Sequence, residues 1–169
     1  FFYSGLMFDQ MNGAQSQLPT FLINIHEVDD AEDMTAYIAR IKAVGPYMRT
    51  ALNNAKRTSA LGVTTPGFAL DGVIEQSKAV ISGAPFAGNE STGTSSEDSP
   101  IWADIQQEIT LLLETSRITA DQGNQLLNSA KSALLQDFQP AYQAVINWAE
   151  AEQDKVPVKS TGVGSQPNG

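Results

Sequence analysis

Apolar residues recur three or four positions apart along most of this chain, and this spacing restricts its fold more than any other feature. The clearest example is a stripe formed by Met34, Tyr37, Ile38, Ile41 and Val44. Such spacing is typical of a helix with one buried face. Comparable stripes lie in 47–55, 68–81, 101–113 and 126–148, without the alternation of a strand. The sequence therefore predicts an all-α, multi-helix bundle.

Helix starts are marked by capping residues and by prolines. Asp29 and Asp30, followed by two further acids, predict an N-terminal cap. Thr65-Pro66 and Ser99-Pro100 predict further starts, and Thr119 with Gln122 three residues later matches a capping box. Pro19 is predicted to open a short helix over 19–28, because proline is favoured in a first turn.

Two prolines lie inside the long stripes and predict kinked long helices. Gly45-Pro46 is expected to kink or split one helix, and Pro140 to bend or divide another near Asp137.

Residues 6–11 carry a weak helical signal. Five aromatic residues at helical spacing are predicted to lie in the core rather than to form a ligand cage: Tyr37, Tyr47, Trp102, Tyr142 and Trp148.

Composition indicates one helical domain, or a fragment of a larger protein, spanning 1–169. A chain of 169 residues can bury a core without disulfides, and this one has Cys 0. The stretch 83–99 is small, hydroxylated and acidic, which predicts a mobile loop. Residues 157–169, rich in Gly, Pro and Ser, predict an extended connection to an absent part of the protein, and both ends of the chain are typical of fragment boundaries.

Charge and hydropathy argue against two classes of partner. The formal net charge is -9, which disfavours attraction to nucleic acid or to an anionic membrane surface. No apolar run approaches the roughly 20 residues of a membrane helix, so no transmembrane segment is predicted.

His26-Glu27 resembles the start of a zinc-peptidase helix motif, but this motif needs a second histidine one turn later. The chain has a single histidine. His26 is therefore interpreted as a structural or cleft-wall residue rather than a zinc ligand. The acids at 29–33 match no calcium loop, and helix capping explains them. The sequence predicts no catalytic and no metal-binding residue, and no cofactor in this chain.

A stand-alone enzyme with paired carboxylates would need two acids that converge in a cleft. Asp9, Glu75, Asp104 and Glu108 are the candidates, and their spacing does not show convergence. No Gly-x-Ser-x-Gly elbow or phosphate loop is present. A stand-alone enzyme is therefore the least favoured hypothesis for this chain.

Three stretches in order resemble the N-terminal region of the DUF885 family, a bacterial domain of unknown function. They are QMNGAQSQLPTFLINIHEVDDAEDMTAYIARIKAVGPYM, GVTTPGFALDGVIEQ and LLQDFQPAYQAVINWAE. The resemblance covers most of the chain outside 83–99. It implies the N-terminal helical part of a larger, gluzincin-type zinc-peptidase-like fold. The family's His-Glu-x-x-His helix is expected in the C-terminal part of the full protein, so zinc is possible only there.

The resemblance leads to two hypotheses from different classes. In the first, the chain is the N-terminal helical portion of a zinc-dependent peptidase-like protein and is not catalytic by itself. Its partners would be the downstream catalytic half and possibly a peptide substrate, and Asn12, Gln17 and His26 would line a cleft wall. In the second, it is a helical binding or scaffold module without enzymatic role. The resemblance implies the bacterial envelope or periplasm as the location.

Overall fold

The computed structural model describes residues 6–25, 27–86 and 98–155, and all of the regular structure there is helical. In these residues the helices are α1 (Ala14–Ile25), α2 (Ala31–Ala60), α3 (Gly67–Val80), α4 (Pro100–Glu114), α5 (Ala120–Ala133), a π-helical segment (Leu134–Phe138) and α6 (Gln139–Gln153). The prediction of an all-α, multi-helix fold is confirmed. An isolated parallel bridge between Ala84 and Asp98 is the one strand-like pairing in the described ranges.

Local capping residues begin the helices where the sequence predicts. The Asp30 carboxylate accepts hydrogen bonds from the backbone N–H groups of Glu32 and Asp33, at 2.8 and 3.0 Å. Thr119 and Gln122 form the predicted capping box. These bonds satisfy donors that the first helical turn leaves without intrahelical partners. Ser99 caps α4 as predicted. Helix α3 begins directly after Thr65-Pro66, as predicted, but without a side-chain cap, because the Thr65 hydroxyl donates to the Phe8 carbonyl instead. Gly62 and Gly83 take positive φ values after α2 and α3.

Pro19 does not open a helix, and that prediction is wrong. Pro19 is buried inside α1, which begins five residues earlier at Ala14. A proline inside a helix leaves the carbonyl four residues before it without a helical donor, here the carbonyl of Gln15. The Tyr142 hydroxyl donates to that oxygen at 2.9 Å. A side chain from α6 therefore supplies the hydrogen bond that Pro19 removes.

Pro46 does not split the second helix, which runs unbroken for 30 residues. Gly45 lies where α2 crosses the π-helical segment. A Cβ at this position would lie 3.3 Å from the Asp137 carbonyl oxygen. The glycine is therefore explained by the close approach of two backbones.

Pro140 is preceded by the π-helical segment, so the interruption predicted near Asp137 takes the form of a π turn rather than a division of the helix. Gln139, which follows the segment, donates its N–H to the Leu134 carbonyl, five residues earlier. The dihedral angles on both sides stay helical, so α5 and α6 are continuous through it. A π turn is a common way to absorb an interruption in a helix.

Residues 6–13 are not helical, contrary to the weak signal in 6–11. They form a turn that delivers Phe8 into the core, where its ring lies 5.2 Å from the ring of Trp148. Thr65 donates to the Phe8 carbonyl at 3.1 Å, and Ala14 donates to the Met7 carbonyl at 3.0 Å. Tertiary hydrogen bonds hold this segment, so helical propensity does not decide its structure.

The described helices share one hydrophobic core. Four of the five aromatic residues predicted to be buried are buried: Tyr37, Trp102, Tyr142 and Trp148. Tyr47 is 49% exposed, so the prediction for that residue is wrong. Phe68 also departs from its predicted stripe and is 56% exposed at the start of α3. The predicted mobile loop falls largely on 87–97 and the predicted tail on 157–169, and both lie outside the described residues.

Candidate functional site

A shallow groove runs between the first turn of the chain, α1 and the middle of α2. We call it the α1–α2 groove. Its walls are mostly apolar, with two amide side chains among them. The lining residues are Leu6, Met7, Asn12, Ala14, Gln17, Leu18, Phe21 and Tyr47. Two of the three residues predicted from the sequence for a cleft wall, Asn12 and Gln17, therefore lie on the same surface.

Asn12 is positioned by a tight turn around Asp9. The Asp9 carboxylate accepts hydrogen bonds from the backbone N–H groups of Met11 and Asn12, at 2.7 and 2.6 Å. Asn12 and Gln17 are both exposed. Gln17 lies in the first turn of α1 and donates its N–H to the Gly13 carbonyl at 3.1 Å. Their side-chain amides are therefore free to face a ligand while their backbones are fixed.

Gln15 is buried next to this surface and holds the elements that form it together. Gln15 is fully buried, and its amide nitrogen donates to Gln76 Oε1 of α3 at 2.9 Å. The Gln76 amide donates in turn to the Gln10 carbonyl, also at 2.9 Å. Gln15 and Gln76 thus join the N-terminal turn, α1 and α3. These hydrogen bonds fix one arrangement of the backbone, although Gln15 Oε1 is buried without a hydrogen-bond partner among the described residues.

Two aromatic side chains give the groove its apolar character. Phe21 of α1 is 44% exposed and Tyr47 of α2 is 49% exposed. Sequence reasoning missed Phe21 as a site residue and assigned Tyr47 to the core. The spacing of Gln17, Leu18 and Phe21 places them on one helical face, which was the available signal. The convergence with Tyr47 depends on how α1 packs against α2.

The third predicted wall residue, His26, lies outside the described residues. The groove as described offers amides, one phenol and apolar surface, with no carboxylate, lysine or arginine among its lining residues. Such a surface can bind an apolar or peptide-like segment through packing and amide hydrogen bonds. It does not itself supply a general acid or base.

Of the four carboxylates considered for acid–base chemistry, two come together. Asp104 and Glu108 lie one turn apart on α4, and the Tyr37 hydroxyl of α2 donates to Asp104 Oδ2 at 2.7 Å. Asp9 instead caps its own turn, and Glu75 is an exposed residue of α3. The Tyr37–Asp104 hydrogen bond ties α2 to α4.

Burial governs the protonation of this cluster. It raises the pKa of the Asp104 carboxyl, although the hydrogen bond from Tyr37 acts in the opposite direction. Burial, and then the negative charges of Asp104 and Asp29, raise the pKa of Glu108. The pKa of Tyr37 is raised by burial and by its bond to Asp104, so the phenol stays neutral. The phenol is the hydrogen-bond donor of the pair.

A second buried carboxylate has a structural explanation. Glu152 of α6 is buried and accepts hydrogen bonds from Ser59 Oγ at 2.6 Å and Lys155 Nζ at 2.8 Å. Burial alone would raise the pKa of Glu152, but the bonds from Lys155 and Ser59 outweigh it and leave the pKa lowered. The ionised carboxylate thereby holds the end of α2 against α6.

Within the ranges that the structure describes, no three His, Cys, Asp or Glu side chains are grouped to hold a metal ion. The acids around the start of α2 have other roles: Asp30 caps the helix, and Asp29 forms an ion pair with Arg117 at 3.2 Å. In the same ranges, no helix has both the length and the apolar character needed to cross a membrane.

The fold of this chain is similar to part of a larger protein of known structure. The chain matches "the putative lipoprotein from Colwellia psychrerythraea", a crystal structure, with a TM-score of 0.80 and 21% sequence identity. The match covers 98% of this chain and 26% of that one, so this chain spans about a quarter of the other's length. At this identity, the likeness shows a shared fold. No functionally curated protein matches the sequence.

The family comparison agrees with the resemblance seen in the three sequence stretches. The model of the bacterial proteins of unknown function, DUF885, matches residues 3–169. That range includes the α1–α2 groove and every described helix. The chain therefore belongs to the DUF885 family.

Proposed function

We propose that this chain is the N-terminal helical portion of a zinc-dependent, peptidase-like bacterial protein and is not catalytic by itself. In this proposal the α1–α2 groove forms part of the wall of the substrate cleft. The single observation that carries it is the exposed pair Phe21 and Tyr47 beside two free amides, Asn12 and Gln17. The remainder of the longer protein would supply zinc and the catalytic groups.

The chemistry of the groove favours a peptide as its ligand. Aromatic side chains offer large apolar contact area, and side-chain amides can both donate to and accept from a peptide backbone. Among the described residues, no charged side chain lines the groove, so these residues would hold a peptide without selecting for charge. These properties suit a surface that positions a chain for hydrolysis by groups elsewhere.

The length ratio supports a role as one part of a larger unit. A match that covers 26% of a longer chain leaves most of that chain to form other parts. Because the matched chain carries the description of a lipoprotein, we extend the proposal to a location in the bacterial envelope.

Metal analysis and a peptidase assay on the longer protein test the proposal. The longer protein is expected to bind about one zinc ion and to hydrolyse peptides in a chelator-sensitive manner, as in three-ligand catalytic zinc sites. This chain alone is expected to do neither. Hydrolysis that survives removal of the metal, or tight zinc binding by this chain alone, would contradict the proposal.

Two substitutions in the longer protein test the groove itself. Gln17→Ala with Phe21→Ala is expected to raise KM several-fold and to leave the zinc content unchanged, because binding rather than chemistry is weakened. Phe68→Ala is the matched control, since Phe68 is also an exposed phenylalanine but does not line the groove. If the double variant and the Phe68→Ala control change KM equally, the α1–α2 groove is not part of the substrate cleft.

The alternative is a helical binding or scaffold module of the bacterial envelope without an enzymatic role. Among the lining residues that the structure describes, the Tyr47 phenol is the one titratable group, and this favours the alternative. In that case the longer protein would bind peptides through the same residues but release them unchanged. Mass spectrometry of peptides incubated with the longer protein distinguishes the two, because hydrolysis produces shorter products.

A further inference from the structure

Basic residues are concentrated on α2, although the chain as a whole is acidic. No Asp or Glu occurs between Asp33 and Asp71. In this interval lie five of the ten Lys and Arg residues of a chain whose net charge is -9: Arg40, Lys42, Arg49, Lys56 and Arg57. The acid-free interval leaves the positive charges of these five residues unbalanced by neighbouring acids. It gives α2 a local charge opposite to that of the chain.

Three of these residues form a line along one face of the helix. Lys42, Arg49 and Lys56 are spaced by seven residues, which is close to two full turns, and they span about 21 Å. All three are exposed. None of them forms an ion pair with another residue of the described ranges. We call this line the cationic stripe.

A groove between α2 and α6 runs beside the first two residues of the stripe, and we call it the α2–α6 groove. Its sides are formed by the two helices and by the π-helical segment. The lining residues are Lys42, Gly45, Pro46, Met48, Arg49, Leu52, Gln136, Asp137, Pro140, Ala141 and Ala144. Most of these are apolar, and Lys42 and Arg49 give the groove a cationic edge. Asp137 is the one carboxylate among the lining residues that the structure describes.

The helix prolines explain why this groove is also able to accept hydrogen bonds. Pro46 and Pro140 each lack the N–H that would bond to the carbonyl four residues earlier. Those carbonyls belong to Lys42 and Gln136, and both residues line the groove. The groove thus combines ammonium and guanidinium donors with carbonyl groups that lack their normal helical donor.

We propose that the α2–α6 groove and the cationic stripe form a docking site for an acidic amphipathic helix of a partner protein. Carboxylates on one face of the partner would pair with Lys42, Arg49 and Lys56. Apolar residues beside them would pack on Pro46, Pro140 and Ala144. Helix-in-groove recognition uses this combination of an apolar floor and a charged edge. Electrostatic complementarity sets the choice of partner and its orientation.

An anionic lipid surface fits the same residues less well. The apolar part of the site is a groove, which receives a helix side by side but not a flat surface. The remainder of the chain is strongly acidic, since only five of its basic residues lie outside α2. An anionic membrane would repel that remainder. This docking site goes beyond the proposed peptidase role and does not depend on it.

A labelled synthetic helix tests the proposal with the chain as it is. The probe is a peptide of about 20 residues with Glu along one face and Leu beside it, which as a helix of about 30 Å is long enough to cover the stripe. Fluorescence polarisation is expected to show saturable binding that weakens when NaCl rises from about 0.05 to about 0.3 M. A peptide with Gln in place of each Glu is expected not to bind. Saturable binding of both peptides with equal affinity would overturn the proposal.

Matched variants locate the binding. Lys42→Gln with Arg49→Gln is expected to raise Kd roughly fivefold, because each exposed ion pair contributes only modestly to binding. Arg40→Gln is the control, since Arg40 is exposed on the same helix but lies about 160° around the helix from Lys42. It should change Kd by less than about twofold. An Arg40→Gln effect as large as that of the double variant would overturn the assignment.

Charge reversal and vesicles complete the test. The double variant Lys42→Glu with Arg49→Glu is expected no longer to bind the peptide that carries Glu. It is expected instead to bind a peptide with Lys in place of each Glu. Failure of this exchange in a variant with unchanged circular dichroism would contradict the proposal. Phosphatidylserine vesicles should not bind the chain. Vesicle binding that depends on Lys42 and Arg49, without peptide binding, would identify a lipid surface instead and overturn the partner named here.

Discussion

Pro19 and Tyr142 depend on each other, although they are far apart in the sequence. The proline leaves the Gln15 carbonyl without a helical donor, and the Tyr142 hydroxyl donates to it at 2.9 Å. Because Tyr142 is fully buried, no bulk water can replace its hydroxyl. The hydroxyl therefore stabilises a helix that proline would otherwise interrupt.

Tyr142→Phe is expected to lower the free energy of unfolding by about 1–3 kcal/mol, because it leaves a buried carbonyl unpaired. The loss should be at least about 1 kcal/mol smaller in a Pro19→Ala background, where residue 19 regains an N–H that can bond to Gln15. Urea unfolding of the four variants of this cycle measures both. Tyr47→Phe, at an exposed tyrosine, is the control. Equal losses in both backgrounds would show that the two residues are not coupled.

Asp104 makes a pH-dependent contribution of predictable sign. Burial raises its pKa from 3.8, so the folded protein binds more protons than the unfolded chain between 3.8 and the raised value. The free energy of unfolding therefore falls as pH rises through this window. Asp104→Asn removes the titration and keeps an oxygen that can accept from Tyr37.

Unfolding in urea at about pH 4 and about pH 7 tests this sign. The variant should gain stability relative to the natural chain as pH rises. Glu114→Gln removes a carboxylate from an exposed position of the same helix and should change stability by less than about 0.5 kcal/mol at either pH. A relative stability of Asp104→Asn that falls toward neutral pH would contradict the raised pKa.

At the scale of elements, helix starts follow from local chemistry and can be predicted from the sequence. Asp30, Ser99 and Thr119 accept from N–H groups two or three residues away, so their roles are visible in short stretches. Pro19 breaks the same rules because its compensating donor lies 127 residues from Gln15. Long-range partners of this kind are not encoded in any local pattern.

Two glycines inside helices provide a matched test of helix crossing. A Cβ added at Gly45 would lie 3.3 Å from the Asp137 carbonyl oxygen. A Cβ added at Gly123 would lie 3.3 Å from methyl groups of Leu113. Leu113 is a partly exposed side chain that can rotate away, whereas the Asp137 carbonyl belongs to a packed backbone. Gly123→Ala is therefore expected to raise the free energy of unfolding by about 0.5–1 kcal/mol, the usual helix preference for alanine.

Gly45→Ala is expected to lose that gain and to lower the free energy of unfolding, because α2 and the π-helical segment must move apart. Thermal and urea unfolding of the two single variants measure the difference. A stabilisation by Gly45→Ala equal to that by Gly123→Ala would show that the crossing is looser than the distance implies.

At the scale of the whole molecule, the sequence indicates the class of fold and two of the groove residues, but not the groove. Asn12 and Gln17 lie in the first of the three stretches that resemble the DUF885 family, yet the aromatic partners of the groove come from α1 and α2. Tyr47 lies on a stripe that otherwise points into the core. Which edge of a stripe remains exposed depends on the crossing of neighbouring helices, and periodicity does not contain that information.

The N-terminal turn completes the core of the molecule, so removal of its buried side chain should destabilise the whole protein. Phe8 is fully buried against Trp148 of α6, while Phe21 lies about half exposed in the α1–α2 groove. Phe8→Ala is expected to lower the free energy of unfolding by about 3–5 kcal/mol, the usual cost of a large cavity. Phe21→Ala is the control and should cost less than about 1 kcal/mol.

Tryptophan fluorescence during urea unfolding measures both variants, and Trp148 reports directly on the contact with Phe8. If Phe8→Ala costs no more than Phe21→Ala, the turn rests on the core without completing it. The large difference expected here would mean that residues 6–13 are part of the folding unit. The α1–α2 groove would then be a property of the whole bundle, since Asn12 belongs to the same turn that delivers Phe8 to Trp148.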